Sequence, residues 1–157
     1  MAHRTRAGSA GFTLVATLLL VALVALGLAL AGPMWSQQAQ RDNERELMRI
    51  GTAYAQAIAA YKRASPGSDK QYPATLEALL LDTRFVGTVR HLRKAYTDPI
   101  NRGQPWGLVR NEGGRIVGVY SLSPTAPLAQ GEIRLDDRVL PPARQYADWK
   151  FLAIVTP

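Results

Sequence analysis

"FTLVATLLLVALVALGLALA", Phe12 to Ala31, is a run of twenty residues without a charge. As a helix rising 1.5 Å per residue it is about 30 Å long, the thickness of the hydrocarbon layer of a bilayer. A secretory signal, a membrane anchor and a buried helix all compete for such a run. A conventional signal has an apolar core of about 7–15 residues followed by a small-x-small cleavage site. "LALAG", Leu28 to Gly32, imitates that site, but the run is longer than the core requires. His3, Arg4 and Arg6 precede it. The positive-inside rule therefore expects the N-terminal side in the cytoplasm and the remainder across the membrane.

The rest of the 157 residues is of ordinary globular composition, so the 47% hydrophobic content is inflated by this one run. There is no cysteine, which excludes disulfides, thiolate metal sites and cysteine nucleophiles. The formal charge of +7 falls to +5 without Arg4 and Arg6. That is a weak footprint for nucleic acid, and no compact basic motif with interleaved aromatics sharpens it.

After Pro33 the helical pattern continues into polar sequence. Leu47, Ile50, Tyr54, Ala57 and Tyr61 recur at three- and four-residue spacing, and "QRDNERE", Gln40 to Glu46, sets opposite charges three apart on the other faces. The helix is expected to end at Ser65-Pro66-Gly67, because proline disfavours helix for the residue before it and glycine permits a left-handed turn. "YPATLEALLLD", Tyr72 to Asp82, predicts a short second helix with Thr75 as its N-cap. "WGLVRNEGGRIVGVYSLS", Trp106 to Ser123, predicts a hairpin whose loop takes positive φ from Gly113 and Gly114. Tyr146 to Val155 predicts one more strand. In the basic segment between them, Arg84, Arg90, Arg93 and Lys94 are candidate contacts for an acidic partner, though charged residues in such a segment ordinarily form a solvated face. His91 has no second histidine outside the N-terminal tail with which to hold a metal.

"RAGSAGFTLVATLLLVALVALGLALAGP" resembles the class III signal of type IV pilins and type II secretion pseudopilins, where a basic leader ends in glycine and the mature chain starts Phe-Thr-Leu. The resemblance implies cleavage by a prepilin peptidase between Gly11 and Phe12, methylation of Phe12, and retention of the apolar run as an anchor with a helix-kinking Pro33. Ala16 departs from the family, most of whose members have glutamate there to pair with a neighbour's N-terminal ammonium; the tip subunit also lacks it. Tyr72-Pro73, Tyr96-Thr97-Asp98-Pro99, Trp106-Gly107 and "VYSLS" extend the likeness to the globular domain of G-type pseudopilins, with a longer interval between Asp98-Pro99 and Trp106. That branch binds calcium in the loop before the C-terminus. Here the corresponding segment, 124–145, has only Glu132, Asp136 and Asp137, against the six to eight oxygens calcium takes, and Asp136 and Asp137 read as a solvated turn.

The resemblance implies a pilin-like α+β fold, with a long N-terminal helix, half membrane-spanning and half amphipathic, packed on a small antiparallel sheet. The organisation expected is a cleaved leader over 1–11, a transmembrane helix over 12–32, its amphipathic continuation over 33–65 and a periplasmic globular domain over 66–157. Such a chain sits in the bacterial inner membrane as a single-pass protein. It serves a secretion or pilus machine by assembly and not as an enzyme, with no cofactor or metal. Its partners are other pseudopilins, the prepilin peptidase, the inner-membrane secretion platform and membrane lipid; nucleic acid is not expected. The alternatives are a minor pilin binding DNA or surfaces and a simple exported protein.

Overall fold

The computed structural model describes residues 10–155, and the side chains of 11–27 and 36–155. The chain forms two compact units, Met1–Ala39 and Gln40–Pro157. Helix α1 spans Ala10–Arg63 and contributes to both.

In the first unit the described side chains of α1 are those of 11–27 and 36–39. Ten large apolar residues stand exposed along 11–27, from Phe12 to Leu26. At 100° per residue they point to every side of the helix. The Thr17 hydroxyl is turned back on the helix and donates to the carbonyls of Thr13 and Leu14, both at 2.9 Å.

The membrane-spanning half expected over 12–32 is corrected. Among the described residues no helix is long and apolar enough to cross a membrane. The pilin-like reading of the fold, with its transmembrane helix, and the single-pass inner-membrane placement give way to an α+β mix with small antiparallel sheets. The leader residues 1–9 and the side chain of Pro33 lie outside the described residues.

In the second unit, Leu47, Ile50, Tyr54, Ala57, Ile58 and Tyr61 form the buried stripe of α1. On its outer face Arg45 pairs with Asp42 at 3.0 Å and Arg49 with Glu46 at 2.6 Å. The stripe packs with a three-stranded antiparallel sheet in the order β1-β2-β5, where β1 is Gly107–Arg110, β2 Ile116–Tyr120 and β5 Phe151–Leu152. Leu108 is opposite Val119, and Val119 is opposite Phe151. The β1-β2 loop is built by Asn111, whose side-chain oxygen accepts from Arg115 N at 2.9 Å. Of its two glycines only Gly114 has positive φ, at 72°. Gly51 is the point of closest approach between helix and sheet, since a methyl group there would lie 2.5 Å from the Phe151 ring.

Two expected elements are shorter than the sequence predicts. Tyr72–Asp82 forms only a 3-10 turn, Glu77–Leu79, and Thr75 is not its cap. The Leu79 carbonyl accepts from His91 N and Leu92 N, both at 2.9 Å, so a non-local partner takes the acceptor that a longer helix would use. The expected strand over Tyr146–Val155 is divided. Its first residues form a 3-10 turn, Tyr146–Asp148, because the Asp148 carboxylate accepts from Arg144 N and Gln145 N at 3.1 Å; only Phe151–Leu152 pair with β2. The 124–145 segment carries a small hairpin, β3 (Ile133–Arg134) with β4 (Val139–Leu140). Buried Glu44 of α1 holds this segment by accepting from Leu128 N at 2.5 Å and from the Tyr146 hydroxyl at 2.8 Å. Burial pushes that hydroxyl's pKa up to about 12.

Candidate functional site

Gly11 and Phe12, the residues expected at the processing site, lie in the first turn of α1, and Phe12 is 77% exposed. Ala16 is exposed on the same stretch, among the apolar side chains that surround it.

The basic segment is organised by Asp82, which is fully buried. Its carboxylate accepts from Arg84 Nε at 2.8 Å and Nη2 at 2.6 Å, and lies 3.0 Å from His91 Nε2. The Arg84 hydrogen bonds, reinforced by the one to His91, hold the Asp82 carboxyl well below the usual carboxylate range despite its burial. Arg84 also donates to the Tyr61 carbonyl at 2.9 Å and to Ser65 Oγ at 2.6 Å, and its guanidinium sits 3.5 Å above the Tyr61 ring. It thereby satisfies an orphan carbonyl in the last turn of α1 with a positive charge, where the helix dipole favours one.

The four candidate partner-contact residues therefore separate. Arg84 is occupied inside the fold and is only 22% exposed. Arg90, Arg93 and Lys94 remain exposed. The Lys94 ammonium lies 5.3 Å from the centre of the Tyr96 ring, while Arg90 and Arg93 flank His91 and Leu92 along a groove. Arg63 of α1, which sequence inspection passes over as one more charge at a helix end, lines an adjoining depression that shares His91, Leu92 and Arg93.

Asp136 and Asp137 do not act together. Asp137 is held by Arg138 through two hydrogen bonds of 2.8 and 2.5 Å, which keep its carboxyl below the ordinary range. Asp136 borders a separate groove with Arg49 and Arg134. Among the described residues no group of three or more histidines or acids is placed to hold a metal ion. The acids that do organise the fold, Glu44, Asp82 and Asp98, are buried. Asp98 accepts from Ile100 N, Asn101 N and the Ser121 hydroxyl, the last at 2.6 Å. Asp98 lay in the Tyr-Thr-Asp-Pro motif, whereas Glu44 lay in a stretch expected on the polar faces of the helix and Asp82 at the end of an expected helix, neither of them as a buried acid.

Comparison of the chain with known protein families, curated proteins and solved structures finds no match.

Proposed function

We propose that this chain is a pseudopilin-like structural subunit of a type II secretion or related filament machine and works by assembly. The observation that carries the reading is the ring of large apolar side chains along 11–27, exposed on every side of α1. One flat partner surface covers one side of such a helix and leaves the others wet. Several equivalent helices packed around it cover all sides, which is the arrangement at the core of a helical filament. Burying each of these leucine, valine and phenylalanine side chains is worth about 1.5–3 kcal/mol, so their combined cover is a strong drive to association. The Gly11-Phe12-Thr13-Leu14 sequence behind a basic tail supports the same reading.

The test uses the absence of native cysteine. The double variant Leu19→Cys/Val24→Cys, expressed in the native host and treated with a short bis-maleimide, is expected to give a ladder of oligomers, because two thiols on different sides of the helix let each chain join two neighbours. Intact mass is expected to show a mature chain beginning at Phe12. A chain beginning near Gly32, or no product larger than a dimer, overturns the proposal.

A further inference from the structure

We propose that the groove between the last turns of α1 and residues 90–93 is a docking site for an acidic segment of a partner protein, gripped by Arg63, Arg90 and Arg93. This goes beyond the filament reading and does not depend on it.

Two adjoining depressions, of about 580 and 300 Å³, share His91, Leu92 and Arg93. Arg63 stands on the α1 wall, and Arg90 and Arg93 on the other; all three are exposed. None of them takes part in a salt bridge among the described residues, whereas Arg45, Arg49, Arg84, Arg134 and Arg138 each have a carboxylate. No acidic side chain lines either depression. Asp82, the partner of His91, is buried and already engaged by Arg84 and His91, so it does not neutralise the rim. The floor, in contrast, is largely apolar, made by Ala53, Ala57, Ala60 and Leu92 with the Gln56 amide beside them.

A cationic rim above an apolar floor selects a ligand that carries carboxylates beside a hydrophobic side chain. Guanidinium and carboxylate match as planar, two-toothed partners, and the apolar residue leaves water for the floor. A second copy fits poorly. The chain is basic, at +7, so two copies repel on average. Nucleic acid fits less well too, because phosphate needs no apolar floor and unstacked bases seek open aromatic faces. The aromatic ring at this groove, Tyr96, is already contacted by Arg49, Lys94 and the Tyr54 ring.

The experiment measures fluorescence anisotropy with the full chain, kept dispersed in a non-ionic detergent. The probe is a fluorescein-labelled peptide, Asp-Glu-Leu-Glu-Ala-Leu-Glu-Glu, with its all-amide counterpart and labelled fifteen-nucleotide oligothymidylate for comparison. The expected result is binding of the acidic peptide, at least tenfold weaker binding of the amide form, and a loss of tenfold or more in Arg63→Glu/Arg93→Glu. Arg144→Glu/Lys150→Glu, which makes the same change in net charge elsewhere, is expected to stay within twofold. Arg63→Gln/Arg93→Gln removes the charges without reversing them, and far-UV circular dichroism checks that each variant is folded. No binding of the acidic peptide, equal losses in the groove and control variants, or tighter binding of the oligonucleotide overturns the proposal.

Discussion

Asp82 shows how one side chain can tie several segments together. Through Arg84 and His91 it fixes the 82–91 segment, and through Arg84 the end of α1 at Tyr61 and Ser65. Asp82→Asn keeps the shape but removes the charge that Arg84 faces, and is expected to lower stability by about 2–3 kcal/mol, the scale of hydrogen bonds to charged groups. Urea denaturation of the second unit measures it. The same carboxyl sets a pH dependence. Its folded pKa lies well below that of an ordinary aspartate, because Arg84 and His91 bind the charged form. The native state therefore binds fewer protons than the unfolded chain as pH falls through that range. The stabilisation is complete above about pH 5 and drains away below pH 4, and Asp82→Asn should flatten this acid limb. An unchanged acid limb in the variant would remove Asp82 from that role. None of this is visible in "LLLDTRF", where the acid reads as the end of a leucine run. Ser65 and Tyr61, which its partner Arg84 also grips, lie about twenty residues away, and only the folded chain brings them together.

At the scale of elements, the legible parts are those governed by local periodicity. The stripe from Leu47 to Tyr61 and the hairpin around Asn111 follow from spacing and from a loop that one chain segment builds for itself. Of the parts that were not legible, one is decided by distant donors, since the 91–92 backbone takes the Leu79 carbonyl, and the other by a side chain, Asp148, that holds the backbone of 144–145 in a turn where spacing suggested a strand. Helix and sheet meet where Gly51 admits the Phe151 ring. Gly51→Ala gains roughly 1 kcal/mol of helix propensity but must displace a buried ring, an overpacking cost of about 1–3 kcal/mol. A net loss is expected in thermal unfolding. Phe151→Leu/Gly51→Ala should recover part of it relative to the sum of the two single changes, because the smaller side chain accepts the new methyl. Strict additivity would mean that the two residues do not share this contact.

At the scale of the whole molecule, the two units differ in what they leave to the solvent. The first shows a helix apolar on every side, while the second buries its own core. A chain shortened to 34–157 is therefore expected to be a folded monomer at concentrations where the full chain associates, as light scattering coupled to gel filtration measures. Adding a chelator should leave its melting temperature unchanged; a fall of more than a few degrees would reveal a bound metal. The reading of the apolar run from sequence was the least secure step, because length and hydropathy describe a segment's solvent preference and do not say what surrounds it.

The central place of β2 has a temporal consequence. Its partner β1 lies a few residues upstream, but its partner β5 is about thirty residues downstream. On the ribosome, the hairpin can close as soon as it emerges, whereas the face of α1 around Gly51 waits for Phe151, which is made among the last residues of this sequence. Until then Leu47, Ile50 and Ile58 lack much of their cover, and the nascent chain passes through an interval in which its amphipathic helix is synthesised but not yet shielded.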